Sequence, residues 1–233
     1  MTLTAQDRKD AAEHAQRRWD FHRQRGTVDQ IVADDMDGME AIRRGLLGEY
    51  ECQHVFGSTV DVELRAGGDG GQDFFLHLRV ADHPVRFRVD VKTSSFEGDR
   101  DLTWLLVRKH KIEKQVIYIH GQYISKSDDV ELQGWAWGVE LIRRNEIRVL
   151  TSKGIENYSM PVTECRSIDE LLARIVYVPT PEEVEARRGF VGEDRGHLVH
   201  YCHCGKWGFH GHEVDTRKGK LGVWFCGEHK PAD

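Results

Sequence analysis

No apolar run in the sequence approaches the length of a membrane span. Its first residues, MTLTAQDRKDAAEH, lack the apolar core of a secretory signal. The expectation is a cytoplasmic protein with no membrane partner. An excess of positive charge is also missing. Lys and Arg number 33 against 39 Asp and Glu, a net charge of −6, which excludes a histone-like binder working by bulk electrostatics but leaves room for a local basic surface. Cysteine is scarce and odd in number, with five residues at Cys52, Cys165, Cys202, Cys204 and Cys226. Three of them cluster late in the chain beside histidines, a pattern of metal ligands rather than of a disulfide framework. Proline is sparse, so the close pair Pro179 and Pro181 stands out as a boundary. There is no internal repeat and no low-complexity tract. The 233 residues suffice for one sizeable domain and a small module.

What is present is a sequence of alternating helix and strand signals, an α/β pattern. Residues 4–25 read as a charged helix capped by Thr4, with Ala12, Ala15, Trp19 and His22 as a modest apolar stripe. Asp29, Asp34, Asp35, Asp37 and Glu40 precede a second helix from about Gly38 to Val55, where acids complement the macrodipole. Met39, Ile42, Leu46 and Tyr50 form its inner face, and Glu49 shares that face. A carboxylate there needs a cation or metal beside it. Further strands are expected at Trp104–Val107, Val116–Ile124, Leu132–Trp137 and Ile147–Leu150, with short helices at 139–145 and 167–176.

The centre of the chain is the stretch between Asp69 and Lys92. A glycine-rich turn carries Asp69 and Asp73. Two alternating runs follow, Phe74-Leu76-Leu78-Val80 and Phe87-Val89-Val91, joined by Ala81 to Pro84. Alternation and a short connection specify a hairpin with one apolar and one polar face. Pairing Val80 with Val85 places Asp73 opposite Lys92, with Asp90 one step further on the same face. Side chains so placed lie within roughly 5–8 Å of one another.

An inward Glu49, a glycine-led Asp73 and the triplet Asp90-Val91-Lys92 resemble the PD-(D/E)XK nuclease superfamily over roughly residues 38–145. The first motif departs from the family pattern, since Gln72 rather than proline precedes Asp73, and Asp69 stays an alternative to Asp73. The resemblance implies a restriction-endonuclease-like core, a mixed β-sheet flanked by helices. It implies a Mg²⁺- or Mn²⁺-dependent endonuclease that hydrolyses DNA phosphodiester bonds with a metal-activated water. Asp73, Asp90, the Val91 carbonyl and Glu49 would be the metal ligands, because hard cations prefer oxygen. Lys92 would polarise the water and offset phosphate charge. On this reading residues 1–178 are the nuclease-like domain and 179–199 a linker. DNA is the partner, and a homodimer is an assembly the sequence allows. Arg86 and Arg88 on the hairpin, and Arg108, Lys109 and Lys111 in the basic stretch 104–116, are candidate DNA contacts. The alternative is a non-catalytic DNA- or protein-binding factor with a degenerate nuclease fold.

The third feature is residues 200–233. Cys202-x-Cys204 and Cys226-x-x-His229, joined by a β-like hairpin, supply the Cys3His set of a structural Zn²⁺ site in a zinc-ribbon-like module, with His203, His210 and His212 as alternative ligands. So short a segment with little apolar content needs such an ion to fold.

Overall fold

The computed structural model describes residues 3–26, 38–57, 60, 64, 73–80, 83–94, 103–149, 154–176, 191–194, 197–200, 202, 204, 206–212, 214 and 223–230. Asp69, the acidic residues 29–37 and the loop 95–102 lie outside these. The chain divides into two compact units, residues 1–76 with 87–173, and residues 77–86 with 174–233. Among the described residues no helix is long and apolar enough to cross a membrane.

The first unit opens with helix α1 (Ala5–Gln24). Thr4 caps it reciprocally: its side chain accepts from the Asp7 N–H while the Asp7 carboxylate accepts from the Thr4 N–H. The buried stripe runs through Asp7, Ala11 and Ala15. Ala12, expected inside, is exposed, because Ala11 and not Ala12 continues the helical period from Asp7 to Ala15. Helix α2 (Gly38–Phe56) follows and packs against α1.

Strands β1 (Phe74–Val80), β2 (His83–Ser94), β4 (Ile117–Ile124) and β5 (Asp129–Trp137) form a four-stranded sheet in the order β1-β2-β4-β5. β2 and β4 are parallel, and β4 and β5 antiparallel. The sheet is therefore mixed. Strand β3 (Trp104–Arg108), in the β2–β4 crossover, joins a second, antiparallel sheet with β6 (Ile147–Val149) and β7 (Glu156–Pro161) in the order β3-β7-β6. Helix α3 (Gly138–Arg144) continues directly from β5 and ends at Asn145, whose φ of 53° lies in the left-handed region.

Two cores lie on opposite faces of the four-stranded sheet. Leu46, Leu47 and Tyr50 of α2 join Ala11 and Ala15 of α1 and Tyr123 and Val130 of the sheet. On the other side, Tyr118 and Ala136 pack with Leu105, Val107, Leu141 and Met160. The first unit is thus an α/β fold with helices on one side of a mixed sheet and a second sheet with α3 on the other.

Several boundaries differ from those expected. β2 begins at His83, so only residues 81–82 connect it to β1, not four. The shorter connection moves the pairing: the Asp73 N–H donates to the Val89 carbonyl at 2.9 Å, so Asp73 lies alongside Val89 to Val91 and not opposite Lys92. The expected helix 167–176 is α4 (Ile168–Leu172), capped by Ser167. After a turn at Ala173 and Arg174 the chain pairs with the edge of β1 through an antiparallel bridge of Ile175 to Leu78, with Arg79 N–H to the Arg174 carbonyl and Val176 N–H to the His77 carbonyl, both 2.8 Å. This edge pairing belongs to the second unit, which also contains the hairpin β8 (Val191–Asp194) and β9 (His197–His200) and the pair β10 (His210–His212) and β11 (Val223–Phe225). The end of the expected linker 179–199 is therefore strand; residues 177–190 lie outside those described.

Candidate functional site

Gly48 is what lets the helix carrying Glu49 reach the sheet. A Cβ at this position would stand 2.2 Å from Thr93 Oγ1 and 3.2 Å from Val91 Cγ1. Only glycine allows α2 to lie this close to β2. The contact also identifies the faces of β2. Val91 and Thr93 point to α2. Asp90 and Lys92 point the other way, beside Tyr118 and His120, their partners in the parallel register with β4.

Glu49 and Asp90 are both buried, at 6% and 5% exposure, where an ionised carboxylate requires compensation. Arg18 Nη1 of α1 lies 3.4 Å from Glu49 Oε1. Lys92 Nζ lies 2.5 Å from Asp90 Oδ1. Asp73 interacts electrostatically with Glu49 and with the Asp90–Lys92 pair. Its Oδ2 accepts the Val91 N–H at 2.5 Å. Burial pushes its carboxyl well above the ordinary range, and the charges of Glu49 and Asp90 push it further, against the opposing pull of Lys92 and the Val91 N–H. Burial disfavours the Lys92 ammonium, but Asp90 and Asp73 outweigh that and raise its pKa. Asp73 thus feels both the Glu49 carboxylate from α2 and the Asp90–Lys92 pair from β2. A hard divalent cation takes carboxylate oxygens and would offset the repulsion that Asp73 meets from Glu49 and Asp90.

Of the residues picked out in the sequence, Asp90 and Lys92 are in direct contact, Asp73 accepts from the Val91 N–H, and Asp73 feels the charges of Glu49, Asp90 and Lys92. Three further residues were not singled out. Arg18 sits on a helix whose sequence reads as peripheral, and its contact with Glu49 spans a separation no local pattern encodes. Tyr118 and His120 are buried on the Asp90–Lys92 face; the β-prone run around them signals a strand, but its pairing with β2 is tertiary. Burial first, and then the charge of Asp90, raise the Tyr118 phenol to about 12.

The candidate DNA contacts are dispersed. Arg88 is ion-paired with Glu113. Lys109 is bonded to Glu156 at 2.9 Å. Lys111 is exposed, Arg108 half-buried, and Arg86 exposed on the part of the hairpin that belongs to the second unit.

In the second unit, Cys202, Cys204, Cys226 and His229 converge, with their ligand atoms all within 4.8 Å of one another. Among the described residues this is the one group of three or more such side chains so closely gathered. Cys204 Sγ and Cys226 Sγ are 3.7 Å apart, and His229 Nδ1 is 3.6 Å from Cys202 Sγ and 3.4 Å from Cys226 Sγ. A tetrahedron with metal–sulfur bonds of about 2.3 Å and metal–nitrogen bonds of about 2.0–2.1 Å has edges of about 3.8 Å between sulfurs and about 3.6 Å between sulfur and nitrogen. The observed spacings fit those edges, and the cluster can hold a metal ion such as zinc. The turn after Cys226 assists. Burial pushes the Cys226 thiol up, but the backbone N–H groups of Glu228 and His229 and the His229 ring outweigh it and bring its pKa to about 7. Cys204 is raised to about 11, chiefly by burial.

No protein-family model, no curated protein and no solved structure matches this chain. Its function is therefore read from the two side-chain groups themselves.

Proposed function

We propose that the protein is a Mg²⁺-dependent endonuclease of the PD-(D/E)XK type acting on DNA, with a C-terminal module folded around Zn²⁺. The observation that carries the reading is geometric: Glu49 and Asp90 are buried, Lys92 Nζ lies 2.5 Å from Asp90 Oδ1, and the Val91 N–H holds Asp73 Oδ2 at 2.5 Å beside them. Carboxyl groups buried close to one another are a poor way to stabilise a fold but a suitable way to receive a divalent ion.

Glu49, Asp73 and Asp90 would hold the ion, with the Val91 carbonyl as a further oxygen. Mg²⁺ supplies Lewis-acid polarisation of the scissile phosphate and of a bound water. The chain's own residues do the rest. Lys92 keeps an ammonium next to Asp90, where it can orient the attacking water and offset charge on the phosphate. The Val91 N–H, by donating to Asp73 Oδ2, fixes that carboxylate in rotation and leaves Oδ1 to a ligand. Arg18 of α1 pairs with Glu49 Oε1 and would restrain that carboxylate. For the module, the tetrahedral spacing of three sulfurs and one imidazole supports zinc, since thiolate-rich closed sites favour it over hard cations.

The test is to incubate purified protein with plasmid, single-stranded and branched DNA in Mg²⁺, alongside Asp90→Ala and Lys92→Ala. Zinc content is measured on the same preparations, so that loss of cleavage is not loss of the module. Cleavage by the wild type and a drop of at least about 100-fold in each variant is expected. Wild-type cleavage rates in Asp90→Ala would remove the proposed mechanism. No cleavage of any form would leave the non-catalytic binding factor.

A further inference from the structure

The second unit contains an open groove of about 750 Å³ that the catalytic reading does not use. One wall is the hairpin tip, with Val85 and Arg86; the other is the metal-binding module, with Lys206, Trp207 and Phe209. Cys204 and Cys226 also line it, so two of the metal ligands help to shape it.

Phe209 is 59% exposed, an unusual position for a phenylalanine in a segment this small. It is held there by structure on both sides. Its N–H donates to the Phe225 carbonyl at 2.9 Å, and the preceding Gly208 packs so tightly that a Cβ would fall 2.7 Å from Trp224 Cβ. The Trp207 ring stands 6.4 Å from the Phe209 ring, inclined at 56°. Two aromatic side chains thus line the groove, Phe209 the more exposed of them. The charged groups on its rim are Arg86 and Lys206 against Glu228. That balance is positive in a chain whose net charge is −6. Glu228 already occupies Lys206, with Nζ 2.6 and 2.7 Å from its two oxygens, so an incoming anion must compete with it.

We propose that this groove binds unpaired nucleotides of single-stranded DNA, with a base stacked on the exposed Phe209 ring, Trp207 beside it, and the neighbouring phosphates on Arg86 and Lys206. The inference rests on the nucleic-acid reading given above but not on its carboxylates. Stacking on exposed aromatic faces tolerates any base, and it requires a base already out of the duplex. A duplex presents phosphates to Arg86 and Lys206 but offers Phe209 nothing to stack on. The structure therefore assigns the second unit a preference for single strands, flaps or frayed ends.

Fluorescence anisotropy of a labelled oligothymidylate and of a labelled duplex, with the full chain in buffer lacking Mg²⁺, tests this. Phe209→Ala is expected to weaken oligothymidylate binding about 5- to 100-fold and duplex binding little. Phe209→Trp is expected to retain it. Arg86→Ala should reduce the magnitude of the log–log salt slope by about 0.7 for a single strand. Glu228→Gln, which frees Lys206, should tighten binding. Zinc content and circular dichroism of each variant establish that the module is intact. Unchanged oligothymidylate affinity in Phe209→Ala, or equal weakening for duplex and single strand, overturns the proposal. The two readings fail separately. Wild-type cleavage of DNA together with a neutral Phe209→Ala removes the groove alone. A single-strand defect in Phe209→Ala together with undiminished cleavage by Asp90→Ala removes the catalytic site alone.

Discussion

Replacing Gly48 with alanine is a direct test of how α2 is seated on the sheet. A new Cβ would lie 2.2 Å from Thr93 Oγ1 and 3.2 Å from Val91 Cγ1. Attractive contact between such atoms begins near about 3.5 Å, so the first overlap exceeds an ångström. Overpacking on this scale costs about 1–3 kcal/mol. Alanine also returns about 1 kcal/mol of helix propensity, so Gly48→Ala should destabilise by up to about 2 kcal/mol. Thr93 Oγ1 is buried and makes no hydrogen bond among the described residues, so Thr93→Ala sacrifices no bond and clears the overlap. In that background Gly48→Ala should become neutral or stabilising by up to about 1 kcal/mol. Gly45 is the internal control. It lies on the same helix, and a Cβ added there would meet nothing within 4 Å, so Gly45→Ala should stabilise by about 1 kcal/mol. The assay is urea denaturation followed by helical circular dichroism, since α1 and α2 both belong to the first unit, with midpoints compared at constant slope. An equal effect of Gly48→Ala with and without Thr93 would refute the close approach, and with it the placement of Glu49.

Titration, metal content and a helix end provide further tests. Asp73 has a folded-state pKa raised above its ordinary 3.8, so the stability it contributes is full below that pH and is lost as pH rises toward the folded value. In metal-free buffer Asp73→Asn should therefore gain on the wild type as pH rises from about 4 to neutrality, and Mg²⁺ should narrow the gap; urea midpoints across that range would show the opposite slope if Asp73 were simply salt-bridged. Elemental analysis of protein purified without added metal should find zinc near one per chain. A zinc-selective chelator should abolish amide-exchange protection around Cys202 and Cys226 while sparing α1 and α2; persistent protection would mean that the module folds without metal. Asn145→Ala should cost about 1 kcal/mol because its φ of 53° is left-handed, and Asn145→Gly should not; thermal denaturation distinguishes them.

Local features were legible because they depend on neighbours a few residues apart. Thr4 and Ser167 announce helix starts through side-chain oxygens placed to bond N–H groups in the next turn. The strands β1 and β4 follow from β-prone runs, and the inward position of Glu49 follows from helical period alone. The Cys3His set was legible as well, since thiols and imidazole at those spacings have few other uses. Strand β7 was missed because its alternation is weak, and it is defined by pairing with β3 and β6.

By itself, then, the sequence determined which residue types carry chemistry and which short elements hold them: periodicity and capping act over a turn of helix or a few residues of strand. Only the tertiary structure decided how they meet. The parallel register of β2 with β4 put Tyr118 and His120 beside Asp90 and Lys92. A two-residue connection moved Asp73 alongside Val91, and a missing side chain at Gly48 brought Glu49 within their field. These are consequences of packing between segments far apart in the chain, where the determining quantity is the space one backbone leaves for another.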